Sequence, residues 1–287
     1  MNLIHKNTFF SSMKSMQCNG KLISFNKPLV MGILNLTPDS FYDGGRYTNT
    51  KDIVAHVNNM LNDGADIIDI GAVTTKQNSG KVSVTEEMKR LEGHLKIIRK
   101  EFPNALLSID TFHSEIAKMA VDNGVNIIND ISGGAFDKEM FKTVAQLKIP
   151  YILMHIQGTP QNMQNNPHYD NVVSEIITYF NHKINQLREL DIQDIIIDPG
   201  FGFGKTVEHN FELLDKLSMF SIFNLPILVG VSRKSMICKV LGVNPDKALN
   251  GTTVIQTVAL LKGANIIRVH DVKEAVESIK LLSNLQH

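Results

Sequence analysis

Short runs rich in isoleucine, leucine and valine alternate along this chain with longer stretches of amphipathic patterning. The runs cover residues 29–37, 65–71, 105–111, 125–132, 149–155, 194–200, 226–232 and 265–271. They are almost continuously apolar, with no in–out alternation, which is how strands buried on both faces of a parallel sheet read. Between and after them lie helix-like stretches at 51–63, 84–101, 114–123, 138–147, 171–190, 207–217, 250–262 and 272–285. Gly64, Gly124 and Gly263 fall just past helical patterns, where a left-handed residue closes the last turn. Eight strand–helix repeats predict an α/β fold, a (β/α)8 TIM barrel. A doubly wound open sheet would carry its nucleotide fingerprint after the first strand, and LNLTPDSFYDGG lacks the G-x-G-x-x-G form. Ahead of the first run, MQCNGKLISF (16–25) holds Asn19-Gly20 between short apolar pieces, a β-hairpin signal. This hairpin is expected to cover the bottom of the barrel. Residues 1–14 read as an N-terminal extension and 15–287 as one domain.

Composition narrows the function classes. Lys plus Arg and Asp plus Glu both number 29, so the formal net charge is zero and the pI is about 7.2. A nucleic-acid binder shows a basic excess or stripe, so an anionic ligand here needs a local site. Cys18 and Cys238 form no CxxC pair, which argues against a zinc site or disulfide framework and suits a reducing, cytoplasmic setting. The first residues lack the apolar core of a secretory signal, and no run of about 18 apolar residues suggests a membrane span. A soluble protein is expected.

The candidate chemistry lies where the apolar runs end. They finish in Asn35, Asp69, Asp110, Asn129, His155, Asp198, Ser232-Arg233, and Arg268 with His270. Polar residues at the C-terminal ends of barrel strands read as catalytic. An unpaired polar group buried there costs about 1–3 kcal/mol, so a full ring is hard to ascribe to stability. Taken singly, Asp69, Asp130 and Asp271 are as readily local caps. His113, His182 and His209 fall in helix patterns and read as surface or capping groups, Cys238 as simply buried, and the 12 methionines as core filler. PGFGFGKT (199–206) resembles a Walker A loop but has three residues, not four, between Gly200 and Gly204. Its glycines are read as letting the loop pass close to a ligand before a helix at 207. TPDSFYDGG (37–45) is a long loop of the kind that closes over substrates; Asp39 within it has no assigned role. Arg233, Lys234, Arg268 and His270 offer the cationic side of an anion site, while Asp110, Asn129 and Asp198 could match the donor–acceptor edge of an aminopyrimidinone.

MGILNLTPDSFYDGG, SIDT, INDISGG, LMHIQGTP, IDPGFGFGKT, VGVSRKS and IRVHD match, in order, the motifs of the dihydropteroate synthase family, from about residue 16 to the C-terminus. The resemblance implies a transferase of folate biosynthesis. It would join 4-aminobenzoate to 6-hydroxymethyl-7,8-dihydropterin pyrophosphate and release pyrophosphate with help from Mg2+. Carried over by motif, Asp110, Asn129, Met154, Asp198 and Lys234 would hold the pterin. Arg268 would stack on it and, with Asn35 and His270, bind the pyrophosphate, and Asn35 would touch the Mg2+. Thr75, Lys76, Phe203 and Ser235 would lie near the aminobenzoate. The family is commonly a homodimer, and apolar stretches in the last helices would suit an interface.

One loop departs from the family pattern. Where that pattern reads G-G-E-S-T-R-P-G, this chain has GAVTTKQNSG (71–80): Val73 replaces glutamate, Lys76 arginine and Gln77 proline. Lysine keeps the charge but not the planar fork, and losing proline loosens the loop. A weaker grip on aminobenzoate, with an altered response to the sulfonamides that mimic it, and a neutral lineage change are both open. Two other functions remain in view. A methyltetrahydrofolate–corrinoid methyltransferase shares the pterin-reading acids but has no need of the SRK and RVHD pair. A non-catalytic pterin-binding paralogue would be supported only by the altered second loop.

Overall fold

A computed structural model describes residues 15–18, 20–36, 50–71 and 84–286. Thr75, Lys76, Gln77 and Asp39, together with the extension 1–14, lie outside the described residues. The hairpin strands β1 (Ser15–Cys18) and β2 (Lys21–Ser24) are followed by β3 (Leu29–Asn35), α1 (Thr50–Asn62), β4 (Ile67–Gly71) and α2 (Val84–Glu101). Next come β5 (Leu106–Asp110), α3 (Ser114–Asp122), β6 (Ile127–Asp130), α4 (Met140–Leu147), β7 (Tyr151–Met154) and α5 (Val172–Glu189). The chain ends with β8 (Ile195–Asp198), α6 (Val207–Asp215), β9 (Leu228–Val229), α7 (Ser235–Leu241), α8 (Leu249–Leu261), β10 (Ile266–Val269) and α9 (Val272–Ser283).

Strands β3 to β10 form one parallel sheet in the order β8-β7-β6-β5-β4-β3-β10-β9. A parallel bridge between Ile197 and Ile227, with Ile197 N–H donating to the Pro226 carbonyl at 3.0 Å, joins β8 to the start of β9 and closes the ring. The eight expected strands are therefore present, each shorter than its apolar run. β9 keeps only two residues because Pro226, which has no N–H to give, opens its run and Gly230 follows it. The helix after the seventh barrel strand is α7, which carries Cys238, and the pattern at 207–217 ends at Asp215 before a 3-10 turn at Leu217–Phe223. Gly64, Gly124 and Gly263 have φ of 102°, 88° and 99°, as their capping places require.

Side chains alternate across each strand. On β4, Ile68 and Ile70 join the large core between sheet and helices, while Ile67 enters a second cluster inside the barrel. That inner cluster holds Met31, Ile67, Ile127, Ile152, Ile196, Leu228 and Ile266, one from each of seven strands, together with Met16, Cys18 and Phe25 from the hairpin segment. The hairpin thus plugs the N-terminal mouth with apolar side chains, as expected. Gln17 N–H donates to Asp194 at 2.8 Å, and the Cys18 thiol lies 3.6 Å from the Asn126 carbonyl, fixing the plug to the rim. Gly20 has φ of 74° in the hairpin turn.

Candidate active site

The parity that makes the barrel floor apolar makes its top polar. Two residues beyond Ile67 comes Asp69, and two beyond Ile127 comes Asn129. Ile196 is followed in the same way by Asp198, Ile152 by Met154, Leu228 by Gly230 and Ile266 by Arg268. Asp110 shares the register of Asn129, and Met154 that of Asp198. Asn35 ends β3, half-buried, opposite Gly71 of β4. One pocket therefore receives side chains from strands far apart in sequence, on rigid elements, at the barrel's C-terminal face.

Arg268 is the hub of one side. Its Nε donates to Asp69 Oδ2 at 2.6 Å and its Nη2 to Asp110 Oδ2 at 2.9 Å. Asn129 Nδ2 donates to the same Asp69 oxygen at 3.1 Å. Burial works against the Arg268 charge, but Asp69 and Asp110 outweigh it and raise its pKa. Burial pushes the Asp110 carboxyl up, and Arg268 opposes this. Asp69 is fully buried, and its Oδ1 has no hydrogen-bond partner among the described residues. Asp69 on β4 is thus part of the ring and no local cap. The signal that could have found it is parity: Asp69 stands to Ile67 as Asn129 stands to Ile127. Asp130 does behave as a local cap. It accepts from Ser132 N–H and Oγ, Gly134 N–H and Tyr151 Oη, and so holds the turn after β6.

Lys234 and Asp198 form the other side. A Cβ built on Gly230 would meet Lys234 Nζ at 3.7 Å and Arg268 Cβ at 3.8 Å, so the two cations flank this glycine. Burial lowers Lys234 to about 8, with Asp198 pulling back. Burial raises Asp198, and Lys234 opposes it; the carboxylate also accepts from Gly200 N–H at 2.8 Å. Lys234 Nζ donates to the Phe201 carbonyl at 2.5 Å and lies 4.7 Å from the centre of the Phe203 ring. Phe203 therefore borders the pocket through Lys234. Met154 is buried beneath, while Ser235 is exposed on the first turn of α7.

The glycine-rich loop owes its glycines to backbone packing more than to a ligand. A Cβ on Gly200 would stand 1.9 Å from the His155 carbonyl oxygen, and one on Gly204 would stand 2.4 Å from that of Gln157. Both residues have positive φ. Lys205 pins this loop from below: buried to 3% exposure, it donates to the Gly200 carbonyl at 2.9 Å and the Phe203 carbonyl at 3.0 Å, and meets His155 Nδ1 at 3.0 Å. Burial lowers Lys205 to about 7 and keeps His155 neutral, its pKa far below the usual range. In the sequence Lys205 stands in a GKT tripeptide that reads as part of a loop, and nothing local marks it as buried. Helix α6 does begin at Val207, capped by a reciprocal Thr206–His209 box, so His209 has the capping role expected.

Two members of the cationic side behave otherwise than expected. Arg233 is spent on structure: Nε and Nη2 grip Asp271 at 2.8 and 2.7 Å, and Nη1 donates to the carbonyls of Pro245 and Asp246. Asp271 is therefore no local cap: its side chain makes no capping bond to α9 and instead pairs with Arg233, 38 residues away. Burial and the neighbouring Arg268 lower His270 to about 4, so its imidazole is neutral. The positive charge of the site comes from Arg268 and Lys234. Cys238 is half-buried, not fully buried, with its thiol near the Arg233 carbonyl.

Among the described residues no group of three or more His, Cys, Asp or Glu could cage a metal, and no helix is long and apolar enough to cross a membrane. Residues 31–270 match the family described as pterin binding enzyme. The chain is 42% identical to the dihydropteroate synthase of Escherichia coli K12 over 265 residues, covering 92% of this chain and 93% of that protein. The Haemophilus influenzae dihydropteroate synthase is 37% identical, covering 92% and 96%. The Yersinia pestis dihydropteroate synthase, solved with a sulfonamide drug, superposes with a TM-score of 0.91 at 38% identity, covering 95% of this chain and 99% of that one. The Xanthomonas albilineans enzyme in complex with 7,8-dihydropteroate gives 0.84 at 33% identity, covering 95% and 99%. A closed barrel with a hairpin plug, a strand-end ring of acids, amide and cations, and relatives matched over nine-tenths of the chain agree: this chain belongs to the pterin-binding enzyme family.

Proposed function

We propose that this protein is a transferase that condenses 6-hydroxymethyl-7,8-dihydropterin pyrophosphate with 4-aminobenzoate to give 7,8-dihydropteroate and pyrophosphate. The observation that carries this reading is the division of one pocket into two chemistries. Asp110, Asn129 and Asp198 line it with acceptors and an amide, and Arg268 with Lys234 supplies fixed charge. A pterin carries N–H donors along its pyrimidinone edge, which the two carboxylates accept. Met154 and the Arg268 guanidinium offer surfaces for its ring. Like the dihydropteroate synthases it resembles, the chain would make dihydropteroate, with the pterin pyrophosphate as its activated substrate.

The reaction breaks the bond between the pterin methylene carbon and the pyrophosphate oxygen, and the electron pair leaves with pyrophosphate. Cations already fixed in place stabilise that developing charge without reorganising. Arg268 and Lys234 take this role, and His270, being neutral, contributes hydrogen bonding and no charge. The electron-rich pterin ring stabilises the cationic methylene. The arylamine nitrogen of 4-aminobenzoate then bonds to it and loses a proton, so no protein nucleophile is required. Phe203, Ser235, Thr75 and Lys76 are proposed to hold the aminobenzoate, the last two from a loop outside the described residues.

Mg2+ is proposed as the metal. The donor set fits it in one way: with no carboxylate cage among the described residues, the ion would be held by substrate pyrophosphate oxygens and water, with Asn35 as the protein's single oxygen contact. When bound there it would neutralise charge on the leaving pyrophosphate. A homodimer is likewise proposed. Val240 and Leu241 on α7, Val254 and Leu261 on α8, and Leu281 on α9 are large apolar side chains exposed on the last helices. Light scattering should give twice the chain mass. A cytoplasmic location suits the free cysteines Cys18 and Cys238. The catalytic reading is tested by pyrophosphate release: it should require the pterin pyrophosphate, 4-aminobenzoate and Mg2+ together. No release with all three present would overturn it.

A further inference from the structure

Asp69 touches two of the residues proposed to hold the pterin, while lying too deep to meet the ligand itself. Its Oδ2 accepts from Arg268 Nε at 2.6 Å and Asn129 Nδ2 at 3.1 Å, at 0% exposure. A carboxylate can only accept hydrogen bonds, so the Asn129 amide must turn its NH2 group toward Asp69. The Asn129 carbonyl oxygen is thereby directed away from Asp69, as an acceptor for the pocket. The same oxygen holds Arg268 by Nε, leaving Nη2 on Asp110. We infer that Asp69 is a positioning residue for pterin recognition: it sets which end of the Asn129 amide reads the ring and anchors Arg268 beside it. This rests on the pterin reading above and adds to it a determinant on β4.

Pairing with Arg268 and Asn129 accounts for one oxygen of this carboxylate. Its other oxygen is buried without a partner among the described residues, as is Ser108 Oγ on the register-matched position of β5. Buried polar atoms are nearly always paired in folded proteins, and an unpaired one beside a binding pocket is where a functional role is sought first. An asparagine at position 69 keeps the shape but presents either a donor or an acceptor, so the Asn129 amide loses its fixed direction.

The test is the Asp69→Asn variant, read by calorimetric binding of the pterin pyrophosphate with Mg2+ and by KM for each substrate. Pterin affinity should fall about 10- to 100-fold, the size of one lost charge-assisted hydrogen bond, while KM for 4-aminobenzoate stays within about twofold. Combined with Asn129→Ala, the second substitution should add little, because Asp69 acts through Asn129. Full additivity, unchanged pterin affinity, or equal losses for both substrates would overturn the inference. If Asp69→Asn does not fold, Asn129→Asp keeps Asp69 in place. Its two facing carboxylates cannot both ionise, so pterin binding should become steeply pH-dependent; a loss equal at every pH would overturn it. Wild-type protein that fails to bind the pterin at all would instead refute the proposed function, so the two failures are distinguishable.

Discussion

Replacing Arg233 by methionine should unfold the protein more readily and leave its chemistry almost untouched, although Arg233 sits beside Lys234 in the motif that looks most like an anion clamp. The side chain is 6% exposed and its partner Asp271 13%. Four hydrogen bonds are lost: two to Asp271 at 2.8 and 2.7 Å, and two to the carbonyls of Pro245 and Asp246 at 2.7 and 2.9 Å. Asp271 is then left half-buried without the guanidinium that grips it. Removing one partner of such a buried pair costs about 3–5 kcal/mol. At about 2–4 °C per kcal/mol for a domain of this size, the melting temperature should drop by about 6–20 °C. Thermal melts monitored by circular dichroism measure this directly. Steady-state kinetics well below the melt should give a KM for the pterin pyrophosphate within about threefold of wild type. An unchanged melt with a KM raised tenfold or more would refute the reasoning and place Arg233 in the anion site.

Lys234→Gln should show the opposite pattern, with a near-normal melt and pterin pyrophosphate affinity reduced about 10- to 100-fold, as measured by calorimetry. In the wild type that affinity should weaken as pH rises through about 8, where Lys234 loses its proton, and Lys234→Arg should shift the fall to higher pH. Lys205 and Lys234 are both held below the ordinary lysine value of 10.5, so the unfolded chain binds more protons between about 7 and 10.5. Their contribution to stability therefore rises with pH across that window, and Lys205→Met should flatten the rise in a urea-denaturation series; an unaltered slope would contradict the assignment. Asn35→Ala should raise the Mg2+ concentration needed for half-maximal rate without moving the melt. Lys76→Arg should lower the KM for 4-aminobenzoate and change sulfonamide inhibition with it; an unchanged KM would mark the second-loop differences as neutral.

The barrel was legible because buried parallel strands are apolar on both faces, so Ile67–Gly71 or Ile195–Asp198 stand out against polar flanks without any partner being known. The end of each run marked Asp110, Asn129, Asp198 and Arg268 for the same reason. What stayed hidden depends on contacts distant in sequence. Asp69 gains its meaning from Arg268, 199 residues away, and nothing near it in the chain announces that pairing. Arg233 carries the same charge as Lys234, and only the fold brings Asp271 and the carbonyls of Pro245 and Asp246 around it. His270 reads as a cation until burial beside Arg268 is known to strip its proton. Lys205 looks like part of a phosphate loop until its three contacts turn out to lie beneath the loop, on Gly200, Phe203 and His155.

Product stoichiometry tests the central claim most directly. With the pterin pyrophosphate, isotopically labelled 4-aminobenzoate and Mg2+, the purified protein should form labelled 7,8-dihydropteroate and pyrophosphate in equal amounts, followed by mass spectrometry and a pyrophosphate assay. Pyrophosphate released without the labelled product, or neither product from protein that still binds the pterin, would contradict it.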